Sequence, residues 1–177
     1  LGGGVGISYT KEEKKLDLKQ YAQLVNKFVK NKNTKIIFEP GRFIVADTAI
    51  LVTKVIYIKK SINKKFIILD AGMNDLMRPA LYSAKHQIVP LKINGKSMKG
   101  NFEFVGPICE SSDKFLTRKN FSKIKEGDSV ALMHVGAYGM TLSSNYNTRP
   151  TIAEIMISGS KHKIIKKRQS LENLVNN

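Results

Sequence analysis

TKIIFEPGRFIVADTAILVTKVIYIKK (residues 34–60) is the most informative segment for the fold, because the residue pattern changes within it. Its first part, residues 34–42, is a short apolar run that ends in a Pro-Gly turn, which predicts a buried strand followed by a loop. A helical pattern precedes it, since Asp17 begins a capping box and apolar residues recur at helical spacing over 18–28. We therefore predict that residues 1–48 are the end of a (β/α)8 barrel, with site residues on its loops.

From residue 49 onward, short runs rich in Ile, Val and Phe alternate with turn sequences. The runs are AILVTKVIYIKK (49–60), KFIILDAG (65–72), HQIVPLKI (86–93), KGNFEFVGPIC (99–109), SVALMHVGAYG (129–139) and TIAEIMISG (151–159). Their spacing is typical of a β-barrel or sandwich. The basic segment KHKIIKKR (161–168) indicates an exposed strand end that leads into a short helix. We therefore predict an all-β C-terminal domain over residues 49–177 with a short tail helix.

The chain is strongly basic, with a formal net charge of +16 over 177 residues. Of its 30 basic residues, 25 are lysines that are spread along the chain. Lysine is a solvated point charge, whereas arginine recognises carboxylate or phosphate through paired bonds. The charge therefore indicates a solvated surface and no nucleic-acid partner, because the densest basic cluster contains no aromatic residue for base stacking. A basic nucleic-acid-binding β-barrel stays open as an alternative, which a steep salt dependence of binding would support.

A single cysteine, Cys109, cannot form an internal disulfide, so the composition gives no indication of secretion. The apolar runs fall well short of the roughly 20 residues that a membrane span needs. The first ten residues lack the features of a signal peptide. We therefore expect a cytoplasmic protein without a membrane segment. The histidines are isolated and no second cysteine is present, so no metal site is predicted.

Four segments could carry binding residues, although each also has a simpler structural explanation. The glycines at 2–6 could hold a phosphate through backbone N–H groups or form a flexible turn. EPGR (39–42) places a carboxylate and a guanidinium around a turn and could equally be a surface ion pair. The loop at 70–86 follows an apolar strand directly, as binding loops often do, or is a capped helix. The polar segment at 136–150 carries two tyrosines and an arginine, or is a long connection.

Within the third segment, four polar side chains are candidates for a site: Asn74, Asp75, Arg78 and Tyr82. A further candidate is Cys109 in GPICESSD (106–113), since the thiol lies in a polar turn beside a carboxylate and core packing does not explain it.

Together these segments resemble the C-terminal part of the diaminopimelate decarboxylases, in the family's order, from Gly2 to about Gly159. The matching segments are GGGVGI, EPGRFIVADTAILVTKV, LDAGMNDLMRPALYSAKHQI, GPICESSD and GAYGMTLSSNYNTRPTIAEI. MNDLMRPALY together with CES favours this family over its ornithine and arginine decarboxylase relatives. The family has the alanine-racemase-like fold, in which a pyridoxal-phosphate-binding (β/α)8 barrel is followed by a β domain.

The resemblance implies pyridoxal-phosphate-dependent decarboxylation of meso-2,6-diaminopimelate to L-lysine and CO2, the last step of lysine biosynthesis. It also implies a homodimer with shared active sites, in which the loop with Cys109 and Glu110 reaches into the partner's site. Cys109 would then be the general acid that protonates the carbon from which CO2 has departed. This role explains a thiol that is held in a polar turn.

Further roles are implied residue by residue. The cofactor would bind Gly2, Gly3, Gly4, Glu39, Pro40, Gly41, Arg42 and Tyr138. The substrate would contact Arg42, Arg78, Tyr82, Glu110 and Tyr138. Diaminopimelate keeps a second amino-acid end away from the reacting one, and Arg78 suits the carboxylate of that end. Glu110 is a natural acceptor for its ammonium group.

The sequence departs from the family's pattern in three respects. Ser112 follows CES where the family usually has Gly, and Thr151 follows NTRP where it usually has Arg or Lys. The lysine to which the family attaches its cofactor has no counterpart, and a (β/α)8 barrel needs about 250 residues. We therefore expect the C-terminal part of an enzyme, incomplete as given.

Two further alternatives stay open. One is a non-catalytic decarboxylase-like protein that docks onto full-length decarboxylases, which the retained Cys109, Glu110 and Arg78 argue against. The other is a related enzyme that acts on ornithine or arginine, which substrate competition would separate.

Overall fold

The structure is a computed structural model that describes residues 1–10, 13–93 and 95–176. Its N-terminal part contains the helices α1 (Leu18–Val29) and α2 (Gly41–Val45), and a 3-10 turn follows over Ala46–Thr48. Asp17 caps α1 as expected, since its Oδ1 accepts from the backbone N–H groups of Lys19 and Gln20 at 2.9 and 3.1 Å.

The buried strand predicted within residues 34–42 is wrong. No strand is assigned there, and Ile37 and Phe38 are 66% and 42% exposed. An apolar run becomes a buried strand only when other strands or helices cover it, and α1 has no buried residue of its own. Among the described residues of this region, the structure therefore has helices and loops but no strand of the expected (β/α)8 barrel.

A six-stranded sheet forms the centre of the molecule. Its strands are β1 (Leu51–Lys60), β2 (Lys65–Leu69), β3 (Ile88–Pro90), β4 (Ser97–Val105), β5 (Lys114–Ser122) and β6 (Ser129–Leu132). They lie in the order β3-β6-β1-β2-β4-β5. All neighbours pair antiparallel except β2 and β4, which pair in parallel. The short helix α3 (Arg78–Tyr82) lies in the connection from β2 to β3.

The sheet is curled, so that its two edge strands approach each other. Arg118 on β5 donates from Nη1 to the carbonyl oxygen of Ile88 on β3 at 3.5 Å. The enclosed side is filled by large apolar side chains, among which Phe104 and Phe121 meet edge to face with centroids 4.8 Å apart. Burying each such side chain stabilises the fold by about 1.5–3 kcal/mol. The predicted barrel or sandwich is therefore a nearly closed sheet around one core.

One strand was missed by the sequence prediction, namely β5. Only Phe115 and Phe121 of this strand are buried, and most of its other residues are charged or polar and exposed. A strand with so few apolar positions lacks the Ile- and Val-rich signature on which the prediction depended.

The C-terminal part forms a separate two-stranded sheet and a short helix. The antiparallel strands β7 (Glu154–Ser158) and β8 (Lys161–Lys166) precede α4 (Leu171–Val175). This confirms the predicted exposed strand and tail helix. No helix in the described residues combines the length and the hydropathy needed to cross a bilayer.

Candidate active site

A cleft of about 830 Å³ lies between the N-terminal part, α3 and the loop after β6. Four of the predicted site residues line it together, namely Arg42, Arg78, Tyr82 and Tyr138. Tyr9 and Leu142 are also part of its wall. Residues from three distant parts of the chain therefore converge on one cavity, which is the usual form of a small-molecule site.

Arg78 is the most deeply buried charged group of the cleft. It begins α3, with Pro79 next in the first turn, and it is only 6% exposed. Its Nη1 donates to the Tyr9 hydroxyl at 2.7 Å and to His86 Nε2 at 3.2 Å. Its Cζ lies 4.8 Å from the ring centroid of Tyr9 and 5.9 Å from that of Tyr138. None of these partners is a carboxylate, so the positive charge remains available to an anionic ligand.

His86 is fully buried behind Arg78. Its Nδ1 lies 2.9 Å from the carbonyl oxygen of Met133, which can only accept, so Nδ1 carries the proton and Nε2 accepts from Arg78. Burial above all, and then the Arg78 charge, lower the pKa of His86 to about 4, against the opposing effect of the Met133 bond. His86 is therefore a neutral acceptor at physiological pH.

Sequence reasoning assigned no role to Tyr9 or His86. Tyr9 contacts the edge of the His86 ring at a centroid distance of 5.0 Å, and its hydroxyl reaches Arg78 across 69 positions of sequence. A lone histidine and a lone tyrosine form no recognisable spacing, so only the folded chain shows that they belong to the cleft.

Tyr138 is held over the cleft by a loop that glycines allow to pack closely. Its φ of 61° lies in the left-handed region, which is uncommon for a residue other than glycine or asparagine. A Cβ on Gly136 would overlap the carbonyl oxygen of Val45 at the end of α2. The loop after β6 is therefore seated directly on the EPGR segment and its helix.

The glycine loop and the EPGR segment lie next to each other. A Cβ on Gly3 would lie 3.1 Å from the carbonyl oxygen of Glu39, so the two segments pack closely here and a side chain would have to displace the Glu39 backbone slightly. Gly2 and Gly4 have no atom within 4 Å of the place where a Cβ would be, so the space beside them is open. On Gly6 a Cβ would be 3.9 Å from Arg42 Nη2.

Cys109 and Glu110 do not line this cleft. Cys109 is an exposed free thiol in the turn after β4. Glu110 accepts from the backbone N–H of Ser112 at 3.4 Å and from the Tyr146 hydroxyl at 3.3 Å. The hydrogen bonds from Ser112 hold the pKa of Glu110 below its usual range. The loop therefore presents a thiol and a carboxylate to solvent, away from the wall that Arg78 forms.

Asp113 fixes the base of the Cys109 loop. Its buried carboxylate accepts from the backbone N–H groups of Met73 at 2.7 Å and Ile108 at 2.8 Å. Burial raises the pKa of Asp113, although these two hydrogen bonds oppose the rise. A Cβ on Gly106 would overlap the carboxylate. Asp113 thus ties the loop before α3 to the loop that carries Cys109.

Two residues predicted as site candidates, Asn74 and Asp75, are structural. Both are buried, and the Asn74 Oδ1 accepts from Arg149 Nε at 3.0 Å. Asp75 accepts from the backbone N–H of Gly72 at 2.9 Å and lies 3.9 Å from Arg149 Nη2. These side chains brace the loop that leads into α3. In the described part of the chain, no group of three or more His, Cys, Asp or Glu side chains could hold a metal ion.

Two family models match the chain. Residues 25–136 match the C-terminal sheet domain of the pyridoxal-dependent decarboxylases, and residues 1–46 match their pyridoxal binding domain. The chain belongs to the pyridoxal-dependent decarboxylase family.

Within this family the chain is similar to diaminopimelate decarboxylases. It is 42% identical over 176 residues to that of Zymomonas mobilis and 39% identical over 175 residues to that of Aquifex aeolicus. Each alignment covers 99% of this chain and 41% of the relative, so the chain spans about two-fifths of the length of these proteins.

Solved structures agree with this assignment. The chain superposes on diaminopimelate decarboxylase from Helicobacter pylori complexed with L-lysine with a TM-score of 0.88 at 43% identity, covering 99% of this chain and 43% of that one. For the enzyme from M. jannaschi the TM-score is 0.92 at 36% identity, with coverages of 99% and 41%.

Proposed function

We propose that this chain is the C-terminal part of a pyridoxal-phosphate-dependent decarboxylase that converts meso-2,6-diaminopimelate to L-lysine and CO2. The observation that carries the proposal is the convergence of Arg42, Arg78, Tyr82 and Tyr138 on one cleft. The diaminopimelate decarboxylases that are about 40% identical over nearly the whole chain support the choice of substrate.

The residues present fit the phosphate end of the cofactor. Gly2, Gly3 and Gly4 are exposed, the space beside Gly2 and Gly4 is open, and Arg42 lies next to Gly6 of the same loop, so a phosphate has room to approach this backbone. The proposed cofactor-binding set is therefore the one predicted from the sequence: Gly2, Gly3, Gly4, Glu39, Pro40, Gly41, Arg42 and Tyr138. When bound, pyridoxal phosphate supplies an electron sink for the decarboxylation.

The chain's own side chains then bind and orient the substrate. Arg78 offers a desolvated guanidinium to the carboxylate at the far end of diaminopimelate, and Tyr82 and Tyr138 border the same space. Glu110, with its pKa held low, accepts the ammonium of that end. Cys109 delivers the proton to the reacting carbon, as a general acid at Sγ.

We also propose a homodimer with shared sites. Cys109 and Glu110 face solvent and do not line the cleft that contains Arg78. A second copy that inserts its Cys109 loop into the cleft would bring the proton donor to the substrate. A free thiol used in this way needs a reducing compartment, so we place the protein in the cytoplasm.

Residues 1–48 are proposed to be the end of a (β/α)8 barrel domain, and residues 49–177 to be the C-terminal β domain with its tail helix. The match of residues 1–46 to the pyridoxal binding domain supports the first assignment. The exposure of Phe28 in α1 and of Ile37 is consistent with surfaces that the rest of a barrel would cover.

A chimera tests the function. Residues 1–177 would replace the matching C-terminal part of the Helicobacter pylori enzyme, and CO2 release would be measured with meso-diaminopimelate, ornithine and arginine in turn. We expect release from diaminopimelate, with Arg78→Ala raising KM strongly. Activity on ornithine or arginine instead would assign the chain to a relative. A folded, cofactor-loaded chimera that releases no CO2 from any of them would favour the non-catalytic docking protein.

A further inference from the structure

Two acceptors from distant parts of the chain converge on a single nitrogen of Arg78. The Tyr9 hydroxyl and His86 Nε2 both accept from Nη1, at 2.7 and 3.2 Å. A guanidinium Nη carries two hydrogens, so these two bonds use both of them. The rotation of the guanidinium about its long axis is thereby fixed by two bonds and by the face of the Tyr9 ring, 4.8 Å from Cζ.

His86 can fulfil this role only in one protonation state. The carbonyl oxygen of Met133, 2.9 Å from Nδ1, requires a hydrogen there, which leaves Nε2 with a lone pair for Arg78. Protonation of His86 Nε2 would place its N–H group opposite the N–H group of Arg78 Nη1, so that two donors would face each other. The groups that surround the ring, Arg78, His134 and Tyr9, supply no negative charge that would favour such protonation.

The hydrogen bonds from Arg78 Nη1 to Tyr9 and His86, here called the clamp, determine which edge of the Arg78 guanidinium is presented to a ligand. With Nη1 engaged, the edge formed by Nε and Nη2 offers two parallel N–H groups, which is the geometry that binds both oxygens of a carboxylate. Arg78 shares the wall of the cleft with Tyr82 and Tyr138, and because Nη1 is occupied, the Nε–Nη2 edge is the part of the guanidinium left for a ligand there.

We infer that Tyr9 and His86 are positioning residues, which orient Arg78 so that its Nε–Nη2 edge takes the substrate's far carboxylate in a bidentate manner. This rests on the proposed function for the identity of the ligand, but the orientation of Arg78 is a property of the chain itself. Neither residue needs to touch the substrate, and their effect is therefore on its binding more than on the chemical step.

The orientation can be tested without any ligand. The chain has three histidines, so long-range ¹H–¹⁵N NMR spectra of the 177-residue protein would resolve each imidazole. We expect His86 at pH 7 as the neutral tautomer with its proton on Nδ1, and we expect the Tyr9→Phe substitution to shift the Arg78 side-chain signals. A proton on Nε2, or an Arg78 spectrum unaffected by Tyr9→Phe, would overturn the clamp whatever the protein's function.

The consequence for binding is tested in the chimera. His86→Leu removes the acceptor, whereas His86→Gln offers an amide oxygen in place of Nε2. We expect KM for meso-diaminopimelate to rise about tenfold or more in His86→Leu and Tyr9→Phe, the loss of one hydrogen bond to a charged group, with a smaller change in kcat. His86→Gln should recover most of the loss.

His162→Leu, on exposed β8, is the matched control and should change neither constant. If the unsubstituted chimera lacks activity on diaminopimelate, the proposed function fails while the NMR result still decides the clamp. If the unsubstituted chimera is active and the Tyr9 and His86 variants bind substrate normally, the positioning role is refuted while the function stands. Should His86→Leu not fold, Tyr9→Phe, which deletes one oxygen, gives the deciding comparison.

Discussion

At the level of single residues, the capacity of the cleft to bind an anion depends on which side chains form hydrogen bonds with the buried Arg78 guanidinium. A guanidinium that is 6% exposed needs hydrogen bonds or aromatic faces, since burying an unpaired charge is costly. The two hydrogens of Arg78 Nη1 are taken by the uncharged side chains of Tyr9 and His86, so its positive charge is partly solvated by the protein but not cancelled. A carboxylate in their place would neutralise Arg78 and compete with an anionic substrate.

The pKa of His86 leads to a prediction about stability. Because the pKa falls from 6.5 to about 4 on folding, the unfolded chain binds a proton more readily than the folded chain between these values. The stability contribution of neutral His86 is therefore full above about pH 6.5 and is lost as pH falls toward about 4, by about 3 kcal/mol. Burial raises the pKa values of Asp75 and Asp113, which act in the opposite sense at acid pH.

Urea unfolding of the 177-residue chain between pH 4 and 7 measures this contribution. Comparison with His86→Gln isolates the contribution of His86, because Asp75 and Asp113 are present in both proteins. We expect the free energy of unfolding of the unsubstituted chain to fall more steeply toward pH 4 than that of the variant. Parallel pH profiles would show that His86 is accessible to protons in the folded state.

Cys109 carries a separate prediction about the chemical step. In the chimera, Cys109→Ala should lower kcat by about 10²–10⁴-fold, the usual contribution of a general acid, while the visible absorbance of bound cofactor is unchanged. Ser111→Ala is the control, because Ser111 lies in the same turn and its side chain is similar in size to that of Cys109. An unaltered kcat for Cys109→Ala would remove the thiol from the mechanism.

At the scale of elements, the two loops that carry the candidate residues are joined by one carboxylate. Asp113 accepts from the backbone of Met73, before α3, and of Ile108, beside Cys109. Asp113→Asn would turn an acceptor oxygen into a donor facing an N–H group. We expect it to destabilise the chain by about 2–3 kcal/mol in urea unfolding.

Glu103→Gln is the substitution with which the stability loss of Asp113→Asn is compared. Glu103 also has two short contacts, to Lys64 at 2.7 Å and Lys114 at 2.8 Å, but both lysines are largely exposed. Exposed ion pairs contribute about 0–1 kcal/mol each, so we expect a smaller loss. If both variants lost the same stability, the Asp113 junction would be no stronger than a surface ion pair.

The elements also show which sequence signals were informative. β1 was predicted correctly because six of its first eight residues are apolar, with Leu51, Thr53 and Val55 inward at its start. β5 was missed since only its two phenylalanines face the core. The apolar run at 34–38 predicted a strand, but the pairing partners that a strand requires are not supplied by the described residues.

For the site, the sequence motifs named four residues that the structure places on one cleft wall. These four are Arg42, Arg78, Tyr82 and Tyr138. The supporting pair could not be predicted, because the contact of His86 with Met133 spans 47 positions and depends on the pairing of β3 with β6.

At the scale of the whole molecule, the two ends of the chain differ in how much tertiary support they receive. α1 has no buried residue, whereas β2 and β6 contain fully buried side chains such as Leu69 and Leu132. A 12-residue helix without a buried face is marginally stable in water. We expect α1 amides of the isolated chain to exchange with deuterium at least about 100-fold faster than those of β2 and β6.

Hydrogen exchange followed by mass spectrometry would measure this difference. The same measurement on the chimera provides the control, since a complete barrel would cover α1 and slow its exchange. Equal protection of α1 and the sheet in the isolated chain would mean that α1 is stabilised by contacts beyond those described.

The parallel pairing of β2 with β4 has a consequence for engineering. Parallel neighbours require a connection that returns along the sheet, and here the stretch from Leu69 to Ser97 makes that return and carries Arg78 and His86 within it. Its two ends are anchored by ladder bonds, and between them Met73, His86 and β3 are bonded to Asp113, Met133 and β6, so the stretch is exchangeable only together with these partners. Lengthening it at Lys92, beyond the clamp, should cost little, since doubling a loop adds only about 0.6 kcal/mol of closure entropy. Transplanting this stretch together with these partners between relatives would therefore transfer Arg78, His86 and the bond from His86 to Met133 as one unit.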